Sequence, residues 1–250
     1  MILGVKVIRK RDSILLFQEQ YTEKLLRKFG YYDFKLVSTP YDANSQLKKN
    51  RRDYISQSQY AQIIGSLLHL MSFSRLDIAY AVSKLSMYTQ CPNQDHWDAL
   101  ARLMKYLKGT MDYAIEYSGF PAMLEGYNDA NWISNSDETK FTSGYVFTLS
   151  GGAITWRSAR QTIIARSTIK SEFVALEMAG SEAEWLKNFL ANILLGMNNP
   201  ICINTLDCQS VIAITKNKTC NGKNRLIQLR HNLVKQLLKR GTISIDYVKS

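Results

Sequence analysis

Apolar and polar positions alternate with period two over Ile2–Ile8 and again over Ile14–Phe17, with Arg9-Lys10-Arg11-Asp12-Ser13 between them. This predicts a β-hairpin closed by a polar turn. From Tyr21 to Phe29 the apolar spacing becomes helical, and Gly30 supplies a C-terminal stop. Ser38-Thr39-Pro40 breaks the pattern, and residues 44–58, rich in Asn, Gln, Lys, Arg and Ser, read as a mobile linker. Three helices are then predicted, over Ser58–Phe73, Leu76–Tyr88 and Asn93–Leu107, the last closed by Gly109. Near Met111 the pattern changes again. Tyr113–Tyr117, Met123–Asn128, Gly144–Leu149 and Ala153–Ser158 have the character of strands, with Gly151-Gly152 as a hairpin turn. A long helix over Ser167–Leu195, a strand at Ile201–Leu206, a short helix at Gln209–Lys216, an amphipathic helix at Leu226–Arg240 and a last strand at Thr242–Val248 complete the chain. Strands interleaved with helices in this order predict a mixed α/β domain over residues 111–250, preceded by a hairpin and a helical segment over 1–110.

Composition narrows the class. At 46% hydrophobic and 21% charged, with 13 Gly and 4 Pro in 250 residues, the chain is neither collagenous nor of low complexity. Its longest apolar stretch, Ile63–Phe73, holds Ser66, His69 and Ser72 and falls short of a bilayer span, so no membrane role is expected. The start has no signal-peptide order. Cys91, Cys202, Cys208 and Cys220 show neither CxxC pairing nor metal spacing, which points to thiols in a reducing, intracellular compartment. The net charge of +11 is uneven: residues 1–110 carry +8, residues 111–215 carry −5 and residues 216–250 carry +8. An acidic centre between basic flanks suits a polyanion-binding protein with a carboxylate-rich site, or a well-solvated basic surface.

Three acids stand where strand and helix ends would expose them to one another. Asp129 ends the strand Leu124–Asn128, Asp207 ends Ile201–Leu206, and Glu172 falls in the first turns of the long helix. Sites of open α/β sheets form at such strand ends. Converging carboxylates would repel unless cations shared them, and hard oxygen ligands favour Mg²⁺ or Mn²⁺. Spacing alone leaves open that these are three independent surface or capping acids.

The segments "ILGVKV", "QEQYTEKLLRKFG", "VSTPYD", "YAQIIGSLLHLMSFSRLDIAYAVSKLS", "HWDALARLMKYLKGT", "GYNDANW", "TSGYVFTLSGGAITWRSARQT", "ARSTIKSEFVALE", "EAEWLKNFL" and "IDYVKS" occur in order. Together they resemble the C-terminal part of the Pol polyprotein of copia-type LTR retrotransposons of a plant lineage. The resemblance covers essentially the whole chain. It implies that residues 1 to about 110 are the end of a reverse transcriptase and its connection, and that residues from about 111 form a ribonuclease H-like domain. It carries the family's metal-binding acids onto Asp129 in "YNDANW", Glu172 in "KSEFVAL" and Asp207 in "LDCQSV". Lys170 stands where the family has an acid, Phe141 where it has Ser, and Ser74-Arg75-Leu76-Asp77 replaces Thr-Arg-Pro-Asp.

The implied function is two-metal, Mg²⁺- or Mn²⁺-dependent endonucleolytic hydrolysis of RNA in RNA–DNA hybrids. The implied partners are nucleic acid and the rest of the polyprotein, in a cytoplasmic particle or the nucleus. The family's polymerase aspartates would precede Met1 and its fourth carboxylate would follow Ser250. The expectation is therefore a fragment without DNA synthesis and with impaired cleavage. The alternative is a catalytically dead transposable-element relic, at most a non-specific nucleic-acid-binding module. Other candidates are weaker. His231 reads as a solvated histidine, and Arg225, Arg230, Lys235, Lys239 and Arg240 form a basic helix suited either to phosphates or to solvent. Trp132 and Trp156 read as core residues.

Overall fold

The computed structural model describes residues 4–42, 44–45, 47–50, 56–118, 123–131, 142–161, 168–193, 200–206 and 225–248. The chain forms two compact units, Met1–Gly119 and Phe120–Ser250. No described helix is both long and apolar enough to cross a membrane.

The first unit opens on the expected hairpin, β1 (Lys6–Arg9) antiparallel to β2 (Ser13–Phe17). Helix α1 (Glu19–Lys28) follows, and just past it Gly30 takes φ +74°, a backbone conformation that favours glycine. Helices α2 (Gln57–Phe73), α3 (Ala79–Ser86, entered through a 3₁₀ turn at Leu76–Ile78) and α4 (Gln94–Gly109) bury their apolar stripes in one core, with Leu26, Ile63, Leu67, Val82, Leu103 and Leu107 fully enclosed. Two expectations are corrected here. The strand expected at Tyr113–Tyr117 in the second domain is β3 (Ala114–Ser118), which pairs antiparallel with β2 and completes a three-stranded sheet of the first unit. The stretch expected to be a mobile linker is anchored over its described part. Leu47 is buried and its carbonyl accepts the Tyr88 hydroxyl, while the Asn50 amide donates to the Pro92 carbonyl. A polar composition concealed one apolar anchor.

Helix α4 begins with a capping box in which histidine takes the place of the usual glutamate. The Asn93 side chain accepts from the His96 amide at 3.1 Å, and His96 Nδ1 accepts from the Asn93 amide at 2.9 Å. The imidazole is fully buried and stacks on Tyr88 with ring centroids 3.9 Å apart. Burial pushes its pKa below the ordinary 6.5, with the Lys48 backbone and then the charge of Asp95 offsetting part of the effect. A protonated Nδ1 cannot accept. The folded state therefore holds fewer protons than the unfolded chain, and stability present above about pH 6.5 is lost as pH falls from that value toward the lowered one. The protection factors of the α4 amides, with the intrinsic slowing of exchange in acid divided out, should fall on acidification below about pH 6.5. In His96→Gln, which keeps an acceptor without titrating, that pH dependence should be flat. Equal pH dependence in both proteins would assign it to another group.

The second unit holds a five-stranded sheet in the order β6-β5-β4-β7-β8. Strands β4 (Leu124–Asn131), β5 (Thr142–Leu149) and β6 (Gly152–Arg160) form an antiparallel meander. The β5–β6 turn, expected at Gly151-Gly152, is made by Ser150 (φ +52°) and Gly151 (φ +76°), and Gly152 already opens β6. Strands β7 (Ile201–Leu206) and β8 (Ile243–Val248) then add in parallel on the other side of β4. Helices α5 (Thr168–Asn192) and α6 (Arg225–Lys239) supply Phe173, Leu176, Ala179, Val234 and Leu237 to a core shared with Leu124, Phe147, Ile203 and Ile245 of the sheet. On β4 the core-facing positions are Leu124, Gly126, Asn128 and Ala130; strand alternation gives Glu125, Tyr127 and Asp129 to the opposite face. The helix expected at Gln209–Lys216 lies outside the described residues.

Candidate functional site

Register locates one end of this sheet. Asp129 pairs with Gly144 of β5, Ala130 with Ser143, and Ser143 in turn with Ala159 of β6. Asp129 thus lies inside β4, two residues before its end at Asn131, where the sequence pattern ended the strand at Asn128, and its side chain is exposed. Strand β7 runs parallel beside β4, with Asn128 opposite Thr205, so both strands point their carboxyl ends the same way. Asp207 follows Leu206, the last residue of β7, and lies outside the described residues.

Glu172 opens the second turn of α5 and is 7% exposed. Its neighbour Ser171 is fully buried, and the Ser171 carbonyl accepts from Gln161 Nε2 at 2.9 Å. The same nitrogen donates to Ser143 Oγ. Ser143 sits one position from the partner of Asp129, so this double bond fastens the first turns of α5 to the sheet end that carries Asp129. Phe173 continues inward and stacks on His231, ring centroids 5.4 Å apart.

His231 is 2% exposed and belongs to the α5–α6 interface, which corrects the expectation of a solvated ring. A helical period places it three residues from Val234 on the buried side of α6. The basic face of the same helix is partly neutralised by α5: Arg230 pairs with Glu177 and Arg240 with Glu184. Trp156 is half-buried on β6 rather than in the core, and Trp132 lies outside the described residues. Lys170 is half-buried.

The open face of β4, β7 and β8 is polar. Cys202 donates its thiol hydrogen toward Asp246 Oδ2 at 3.3 Å, and Tyr127 donates to Glu125 Oε2 at 3.3 Å. Burial, then the Asp246 bond, push the Cys202 thiol up, so it stays protonated and is no thiolate nucleophile at neutral pH. Burial and the nearby Glu182 likewise push Tyr145 up to about 12. Among the described residues no three His, Cys, Asp or Glu side chains form a metal-ligating group. The oxygen-only set of Asp129, Glu172 and the strand-following Asp207 still has the chemistry that Mg²⁺ or Mn²⁺ requires.

Three residues escaped the sequence reading. Gln161 and Ser143 are buried polar groups at the site, and Asn128 is 2% exposed with neither side-chain polar atom bonded among the described residues. Asn128 was the discoverable one, since it is the polar member of a row otherwise made of Leu124, Gly126 and Ala130.

A mixed sheet with three antiparallel strands followed by two parallel ones, and with two helices on its core face, is the ribonuclease H fold. No family model matches the chain. It is 33% identical over 98% of its length to the retrovirus-related Pol polyprotein of transposon TNT 1-94 of Nicotiana tabacum, and 29% identical over 99% of its length to that of transposon RE2 of Arabidopsis thaliana. It spans 19% and 17% of those two proteins. Among solved structures, the foamy viral protease–reverse transcriptase dRH in complex with double-stranded DNA matches 98% of this chain and 38% of its own, with a TM-score of 0.52 and 12% identity, a likeness of fold. Over nearly its whole length the chain is similar to the retrovirus-related Pol polyproteins of plant transposons, and its second unit has a ribonuclease H-like fold.

Proposed function

We propose that the Phe120–Ser250 unit hydrolyses the RNA strand of RNA–DNA hybrids, with Mg²⁺ or Mn²⁺ held by Asp129, Glu172 and Asp207. The observation that carries this reading is the parallel pairing of β4 with β7, which aims the strands bearing Asp129 and preceding Asp207 toward the sheet end where α5 presents Glu172. Divalent ions held there would activate the attacking water and stabilise the departing oxygen of a phosphodiester. Asp129, exposed on its strand, is the acid open to substrate. Glu172 is nearly enclosed, where a carboxylate interacts strongly with a bound cation because little water screens it.

The two free thiols among the described residues, Cys91 and Cys202, accord with work inside the cell, in a cytoplasmic particle or the nucleus. The basic ends of the chain favour phosphate contacts, and each contact contributes ~0.9 to the salt slope of duplex binding.

The test is cleavage of a labelled hybrid by residues 1–250 with Mg²⁺, beside Asp129→Asn. The substitution should lower the rate by about 100-fold, equivalent to about 2.7 kcal/mol of barrier. Equal rates in both proteins would remove Asp129 from the chemistry. Salt-sensitive binding with no cleavage by either would leave a nucleic-acid-binding module in place of the nuclease.

A further inference from the structure

We infer that Gln161 is a positioning residue for this site: its side-chain amide sets where Glu172 stands relative to Asp129. The inference rests on the nuclease reading of the same sheet end. Gln161 is the first residue past β6, is 5% exposed, and reaches two elements with one nitrogen. One acceptor is Ser143 Oγ on β5, itself 1% exposed and directly opposite Ala130, the residue after Asp129. The other is the carbonyl of Ser171, fully buried, the residue before Glu172.

A carbonyl within a helix already serves the amide four residues on. The bond from Gln161 is therefore an extra one, and its effect is to place the helix rather than to form it. Buried polar groups bonded in this way hold geometry strongly, because no water can replace a lost partner. Gln161 acts on the site through the backbone of Ser171.

The test compares the full chain with Gln161→Met, which keeps length and bulk without donors, and with Ser143→Ala, which removes one acceptor and leaves the Ser171 bond. Hydrogen exchange over residues 171–176 should quicken on the order of tenfold in Gln161→Met, and less in Ser143→Ala, with the rest of α5 and the sheet unchanged. Mn²⁺ affinity, read by titration calorimetry without substrate, should fall about tenfold in Gln161→Met, the scale seen when a partner behind a metal ligand is lost.

Unchanged exchange in Gln161→Met would overturn the inference. So would faster exchange with full Mn²⁺ affinity, because the bond would then stabilise the helix without serving the site. If Gln161→Met does not fold, Ser143→Ala decides on the same two readouts, with a smaller shift in the same direction. An unsubstituted chain that binds no Mn²⁺ would overturn the nuclease reading, and this inference with it; retained binding in Gln161→Met overturns the inference alone.

Discussion

Replacing Arg75 by alanine should cost the Met1–Gly119 unit about 3 kcal/mol, the low end of the range for a buried ion pair, because Asp77 keeps 28% of its side chain in solvent. The side chain is 2% exposed, yet all its nitrogens are used. Nε and Nη2 donate to the two oxygens of Asp77 at 2.9 and 2.7 Å, while Nη1 and Nη2 donate to the Thr110 carbonyl and hydroxyl at 2.9 and 2.6 Å. Tyr106 donates its hydroxyl to the same Asp77, and burial followed by that bond pushes Tyr106 up to about 12. One guanidinium thus ties the 3₁₀ turn before α3 to the residue that ends α4. Alanine would leave the buried Thr110 carbonyl without this donor and Asp77 without its cation. The transition of this unit should drop on the order of 10–20 °C by calorimetry. Arg75→Lys should fall between, because an ammonium cannot form the two-pronged bond to Asp77 and also reach Thr110. A drop of only a degree or two in Arg75→Ala would show that the clamp holds little.

In the second unit, Phe147→Ala should cost about 3–5 kcal/mol, the usual cost of emptying a fully buried aromatic site. Phe147 is at the centre of that core, and its ring lies over Gly126 of the neighbouring strand. A Cβ at Gly126 would stand 2.5 Å from Phe147 Cε1 and 3.0 Å from two further ring atoms. Gly126→Ala alone should therefore cost about 1–3 kcal/mol through overpacking. The informative experiment is the double substitution, because the new methyl would occupy space the ring has vacated. Its cost in urea unfolding should be smaller than the two single costs together by about 1 kcal/mol or more. Strict additivity would mean that strand and ring do not share the contact.

Most elements were legible in the apolar pattern, because period-two and helical spacing report which face is buried. The hairpin β1–β2, helices α1 to α5 and strands β4 to β8 follow that rule. Pairing partners were not legible. Nothing in the residues 113–117 says that they join β2, since a strand's pattern records burial and not the identity of its neighbour. Asp129 and Glu172 stood out as acids at element ends. Gln161 and Ser143 did not, because a polar residue after a strand and a serine at a strand start look the same whether solvated or buried. The burial of Arg75 and of His231, the latter read as solvated, was not legible for a related reason: charge or polarity predicts exposure, and here bonding and stacking partners overrule it.

The order of the central sheet also fixes where assembly is entropically expensive. Strands β4, β5 and β6 meet neighbours adjacent in sequence, so their pairing closes short loops. The pairing of β4 with β7 closes a loop of about 70 residues, between Asn131 and Ile201, and each doubling of loop length adds about 0.6 kcal/mol to the closure cost. That junction is the one that brings the strand of Asp129 beside the strand leading to Asp207. The candidate centre therefore forms on the costliest seam of the sheet, and it exists only in chains that have completed the long-range half of the fold.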